Sequence, residues 1–341
     1  MSLRWRGCQI ISPLVQLPSR CSTRVRHPCS GLGPRLHQRL AIHPSSLGVA
    51  YSEERTLTAS VQVGSDGPLP HGALELRWLG QAGFAYKCPS GRIVCVDPYL
   101  SDCAEHRLRL RRLMPAPLSP ADVQADLYIT THHHLDHLDV DTVAAIASRN
   151  KDTIFAGPPA CVERFHALGV AGRQTWTLRP GDKRRLGALG VLAVPADHGQ
   201  LAPDAIGVIL DLEGIRVYHT GDTGWRPDLL KLLAGQVFDI VIPPINGRFG
   251  NMDAEEAART AALLRPRLVI PSHFWMFAQH GGDPGAFLDL CATLAPESRA
   301  EVMTLGRCYV YAKESAIAPT DGGWPCLLRS VPGGVRQAGG E

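Results

Sequence analysis

Apolar and polar residues alternate cleanly over Leu74-Glu75-Leu76-Arg77-Trp78-Leu79, the period of a half-buried strand. Turns at Gly80–Gly83 and Pro89–Gly91 then predict two more strands, Phe84 to Lys87 and Arg92 to Val96. From Leu127 short apolar runs alternate with stretches of helical spacing. They predict strands at 127–131, 153–155, 175–178, 183–186, 191–195, 205–211, 215–219, 240–242, 268–270 and 308–311, and helices at 139–147, 160–168, 227–233 and 284–292. Glu213-Gly214 reads as a hairpin turn, and Asp253 with Glu256 reads as a capping box opening a further helix. Hairpins followed by strand–helix alternation imply a layered α/β protein with mixed sheets.

Outside this region the pattern fades. Residues 53–72 hold Gly64, Gly67, Pro68, Pro70 and Gly72 and read as a linker. Residues 101–125 look irregular, with Arg107, Arg109, Arg111 and Arg112 as a solvated patch. The resulting division is a disordered leader and linker over 1–72, one domain over 73–313 and a disordered tail over 314–341.

Charge changes the picture at the N-terminus. Residues 1–52 carry seven arginines, no lysine and no acid, so a chain total of +3 leaves −4 on residues 53–341. A leader rich in Arg, Ser and Pro has the composition of an organelle transit peptide; the competing reading is a mis-called start. Localisation is mitochondrial in the first case and cytoplasmic in the second. The mildly acidic body speaks against nucleic acid as a partner. No apolar run approaches a membrane span. Self-association into a homo-oligomer stays open. Ten scattered cysteines without a Cys-x-x-Cys pair suggest a reducing compartment.

The chemistry is concentrated in Thr130-Thr131-His132-His133-His134-Leu135-Asp136-His137. Imidazole and carboxylate are good ligands for divalent transition metals. Other expected strand ends deliver Asp97, His198, Asp222 and His273, and loops beyond the carboxyl ends of strands are the usual place for a site in layered α/β folds. His132 and His134, two apart on an extended stretch, should point the same way. That arrangement allows one metal on His132, His134 and His198, and a second on Asp136, His137 and His273 with Asp222 bridging. His133 should point away, and His219 reads as a core histidine. Asp97 is read as a support accepting N–H bonds from the histidine loop, with a plain turn as its alternative. Asn246, Arg248 and Asn251 follow the strand at 240–242 and are the candidate substrate-binding residues. His280 reads as a solvated loop residue, and Trp275, Met276 and Phe277 as pocket wall or core.

The ligand series from Asp97 to His273 resembles the metallo-β-lactamase superfamily, and within it the L-ascorbate-6-phosphate lactonase-like branch. The matching words are Trp78 to Phe84, Asp97-Pro98-Tyr99-Leu100-Ser101, Pro203 to Gly207, and Pro244-Ile245-Asn246-Gly247 with Asn251-Met252. The resemblance covers roughly 73–312 and implies a four-layer αββα sandwich of two mixed sheets with the site at one edge. It also implies a metal-dependent hydrolase using a metal-bound hydroxide on a small, anionic ester or lactone, with Asp136 and Asp222 at the reacting centre. The alternative is a phosphodiesterase of nucleic acid or phospholipid. An all-nitrogen and oxygen ligand set suits one or two Mn²⁺, Zn²⁺ or Fe²⁺ ions, and the resemblance leans to Mn²⁺ or Zn²⁺.

Overall fold

The computed structural model describes residues 60–63 and 69–313, so the Arg-rich leader and the tail lie outside the described residues. Two sheets carry the fold. Across the first, the strands run β1 (Ser60–Val63), β15 (Cys308–Ala312), β2 (Ala73–Gly80), β3 (Gly83–Lys87), β4 (Ile93–Val96), β5 (Leu127–Ile129), β6 (Ile154–Gly157) and β7 (Thr175–Thr177). Neighbours are antiparallel from β1 to β4 and parallel from β4 to β7. The second sheet runs β14 (Arg299–Ala300), β13 (Leu268–Val269), β12 (Ile240–Ile242), β11 (Ile215–His219), β10 (Ile206–Leu212), β9 (Leu189–Pro195) and β8 (Lys183–Leu186). It is parallel from β14 to β11 and antiparallel from there to β8.

The period of the strands divides their side chains between cores. Val94 and Val96 of β4 and Leu127 and Ile129 of β5 face the inter-sheet core with Val208, Leu210 and Val217. Cys95 and Tyr128, one residue out of phase, point to the opposite face. There they meet α2 (Val140–Arg149) and α3 (Pro159–Ala167) through Val143, Ile146, Cys161 and Phe165. Ile209 and Tyr218 leave the second sheet on its outer side, toward Leu230 of α4 (Pro227–Lys231) and Leu264 of α5 (Ala254–Leu264). Helix, sheet, sheet and helix stack as an αββα sandwich, completed by α1 (Cys103–Leu108) and α6 (Pro284–Leu294). Strands covered on both faces must be apolar at both phases, which explains the unbroken Ile93-Val94-Cys95-Val96 run.

Three expectations need correcting. Ser60–Val63, inside the stretch read as linker, pairs with β15. The alternating strand β2 is buried at all eight positions, not half-buried; Glu75 and Arg77 lie 3.9 Å apart as an ion pair within the fold, and Arg77 also reaches Cys308. The stretch 101–125, expected to be irregular, contains the helix α1 (Cys103–Leu108). By contrast α5 opens on the expected capping box, with Asp253 and Glu256 bonding each other's backbone. The six described cysteines are all free thiols, and no helix among the described residues is long and apolar enough to cross a membrane.

Candidate metal centre

Five strands of the two sheets end at one edge. Asp97 follows β4, the histidine loop follows β5, His198 follows β9, Asp222 follows β11 and His273 follows β13. The loop after β5 is bent where an extended stretch was expected. A turn closes on the His134 carbonyl, which accepts from His137 N at 3.0 Å and Leu138 N at 2.7 Å. The bend still brings the His132 and His134 rings together, 4.5 Å apart at their centres. The second sheet meets this loop directly, since Ile206 N donates to Thr131 O at 3.0 Å. Gly221 permits the approach. It has φ of +64°, and a Cβ there would sit 2.7 Å from the Ile206 carbonyl and 3.1 Å from Thr131.

Three overlapping groups of ligand atoms result, each lying within 4.8 Å of one another: His132, His134 and His198; Asp136, His137 and His273; and His132, His137 and Asp222. Asp222 sits between the other two groups. It lies 3.3 Å from His137 Nε2, 3.1 Å from His273 Nε2 and 3.8 Å from His198 Nε2. His133 belongs to none of these groups.

Buried carboxylates and amides hold several of these side chains in place. Asp97 accepts from Thr131 N at 2.7 Å and Thr131 Oγ1 at 2.6 Å. Its Oδ2 also lies 2.8 Å from His137 Nδ1. That contact puts the His137 proton on Nδ1 and leaves Nε2 facing the other ligands. Asn251 donates to Asp222 Oδ2 at 2.8 Å. Gln81, in the β2–β3 turn, places Nε2 2.7 Å from Asp136, 3.0 Å from His273 and 3.1 Å from His280. Asp139 caps α2 through the backbone of Asp141 and Thr142 and accepts from Leu100 N, Ser101 N and Ser101 Oγ, which ties the loop after β4 to the end of the histidine loop. Gln81, Asp97 and His273 all have left-handed backbones, with φ of 52°, 47° and 58°. Strain of this kind persists where the surrounding structure over-determines the position.

The electrostatics separate the two ends of the site. Burial pushes His198 down to about 4 against the pull of Asp222, and burial likewise lowers His132 and His134, so these three stay neutral. For His273 burial is outweighed by Asp222, and the imidazole rises to about 9. His137 rises for the same reasons, through Asp222 and Asp97. Asp136 and Asp222 lie well below the usual carboxylate range: burial opposes this, but His137 and His273 prevail. The carboxylates of the second group thus favour positive charge beside them, which a divalent ion on neutral imidazoles would supply. His137 Nε2 and Asp222 Oδ1 face each other at 3.3 Å, both buried and neither in a well-formed hydrogen bond. Such orphan atoms are costly, and a shared cation satisfies both. The residues present fit a metal.

An open cavity of about 660 Å³ lies over these groups, with His134, Asp136, His198, Asp222 and His273 in its lining. The profile of the β-lactamase superfamily domain matches residues 75–273. The chain belongs to the metallo-β-lactamase superfamily. Curated relatives described as metal-dependent hydrolases include one from Aeropyrum pernix, 32% identical over 70% of this chain and 97% of its own. Another, from Caldivirga maquilingensis, is 30% identical over 68% and 95%. Among solved structures, Igni18, a metallo hydrolase from Ignicoccus hospitalis, superposes with a TM-score of 0.55 at 25% identity, over 70% of this chain and 98% of that one. The chain is accordingly a metal-dependent hydrolase of this superfamily.

Within this superfamily fold, several residues singled out from sequence sit elsewhere. Of the three proposed to bind substrate, none lines the cavity. Asn246 is buried, 3.3 Å from the Arg248 carbonyl; Asn251 is engaged on Asp222; Arg248 is exposed to solvent. Their neighbour Phe249, itself left-handed at φ 56°, supplies the lining side chain of that loop. His280 lines the cavity and stacks on His273 at 4.8 Å, so it is not a solvated loop residue. His133 also lines the cavity. The arginine patch is not uniformly solvated: Arg112 lies 4.9 Å over the Tyr99 ring and donates to Met114 and Ser101 carbonyls, while Arg107 lines the cavity. Met276 and Phe277 are core, Trp275 is exposed, and His219 is a core histidine against Ala82 O at 2.8 Å. Sequence reasoning missed Gln81, Asp139 and Arg164. Gln81 lay inside a word already matched to the superfamily, which was the available signal.

Proposed function

We propose that the protein hydrolyses a small anionic ester or lactone with two divalent ions, Mn²⁺ or Zn²⁺, at the cavity floor. His132, His134 and His198 would hold one ion, and Asp136, His137 and His273 the other, with Asp222 shared. A bound divalent cation supplies a nucleophile at neutral pH, by lowering the pKa of water toward ~7, and polarises the oxygen under attack. Around it the chain's own residues orient and exclude. Asn251 fixes one oxygen of Asp222, leaving Oδ1 unpartnered to take a hydrogen bond from the attacking water. Gln81 holds Asp136, and Asp97 holds the tautomer of His137. The lactonase-like words quoted above favour an ester or lactone as the bond broken.

The observation that carries this reading is the cavity: about 660 Å³, with the ligand groups in its floor, within the range of small-molecule sites. The test is metal analysis of the purified protein, followed by reconstitution with Mn²⁺, Zn²⁺ or Fe²⁺ and a screen of lactones, carboxylic esters and bis-p-nitrophenyl phosphate. Lactone or ester turnover, lost with chelator and restored by metal, is expected. Turnover of the phosphodiester alone would overturn the substrate class, and absence of any metal effect would overturn the centre itself.

A further inference from the structure

Two guanidiniums line the cavity without a counter-charge. Arg107 belongs to α1 and Arg164 to α3, and both are exposed. Elsewhere in the domain arginines are commonly engaged: Arg92, Arg226, Arg259 and Arg299 each face a carboxylate, and Arg112 lies on Tyr99. The Arg107 and Arg164 side chains form no ion pair or hydrogen bond among the described residues. Asp204, which with Arg164 acts electrostatically on His133, accepts from Ala160 N near the start of α3 at 3.0 Å and makes no ion pair with Arg164. A planar guanidinium left unpaired at the mouth of a site is shaped to grip a carboxylate, phosphate or sulfonate.

The same mouth is apolar between its charges. Leu108, Leu201 and Phe249 are 56%, 52% and 53% exposed, and three of the eight large hydrophobic side chains exposed among the described residues thus meet at one cavity. Leu110, Leu135 and Val140 add further apolar lining, less exposed than these three. Apolar side chains collected at a rim mark a binding surface more than scattered ones do.

We propose that the substrate is an amphipathic anion. Arg107 and Arg164 grip an oxyanion that takes no part in the reaction, and the apolar chain lies along Leu108, Leu201 and Phe249. The bond to be hydrolysed reaches the metal floor. This rests on the hydrolase reading above and gives it a substrate class. It also replaces Arg248 with two residues of the cavity wall as the anion-recognising groups.

The test separates binding from turnover. Metal-loaded protein is titrated calorimetrically with 1-octanesulfonate, octyl phosphate and methanesulfonate, using wild type, R107Q, R164Q and the double variant. Wild type should bind at least one octyl anion about tenfold more tightly than methanesulfonate, and the double variant should lose about tenfold or more; which octyl anion loses more names the oxyanion. Arg107→Lys and Arg164→Lys should restore part of the affinity. In parallel, the kcat/KM ratio for an anionic ester over its neutral partner of equal length should collapse in the double variant. Octyl anions bound equally by wild type and double variant, or not bound at all, would overturn the proposal, as would methanesulfonate bound as tightly as its octyl homologue. If no ester or lactone is turned over while arginine-dependent binding persists, the hydrolysed bond is misassigned and the anion site stands. If a neutral ester is turned over but no anion preference exists, the reverse holds.

Discussion

The floor and the wall of the cavity are built on opposite principles. The floor is made of strand ends from both sheets. Its groups are mostly buried, and several are held by a neighbour: His137 by Asp97, Asp222 by Asn251, Asp136 by Gln81. The wall comes from α1, α3 and surface loops, and Arg107, Arg164, Leu108, Leu201 and Phe249 stand in solvent. A floor so held can be altered only by disturbing several groups at once, whereas a wall residue can change alone. The chemistry should therefore be the fixed property of this chain and the substrate the adjustable one.

The sharpest way to break that contrast is to damage the floor. Asp222→Asn or His134→Ala should reduce turnover of neutral and anionic substrates alike, by on the order of a thousandfold, with metal content falling in parallel. Retained activity with full metal content would show that the floor is not the reacting centre. One layer out, Asp97→Asn keeps the volume but weakens the acceptor for His137. Metal affinity should fall about ten- to a hundredfold, read by competition against a chromophoric chelator, with an unchanged affinity counting against the positioning role. Gln81→Leu should act in the same direction but more weakly, about tenfold at most, because Asp136 and His273 keep their other contacts. At the small end, Arg248→Ala should change kcat/KM by less than about twofold on an anionic ester, as an exposed guanidinium off the cavity contributes little. A tenfold loss there would return substrate recognition to the loop after β12.

The two regions also differ in how legible they were. Histidine and aspartate crowded at 132–137, and spaced singly after later strands, are costly to place without a purpose, so the sequence itself argues for a metal site. The strands that deliver them were equally plain, because burial on two faces demands apolar runs. Nothing marks Arg164 on its helix or Arg107 in its patch; an arginine beside a cavity has the same sequence context as an arginine in water. Arg248 was the natural choice because it follows a strand, but the loop turns Phe249 into the cavity lining and leaves Arg248 outside. Ser60–Val63 became a strand through β15, some 250 residues later in the chain, a partner that no local pattern announces.

One feature of the floor reaches beyond catalysis. Of the candidate ligands, His132, His134, Asp136 and His137 hang from the first sheet, and His198, Asp222 and His273 from the second. Every group able to hold an ion takes members from both. An ion seated there rivets the two sheets together, so its binding free energy also resists their separation. Core damage remote from the site, at Leu210 or Val217 for example, would first appear as leakage of metal and only later as unfolding. The supply of metal in the surroundings would then govern how long each molecule survives as well as how fast it works.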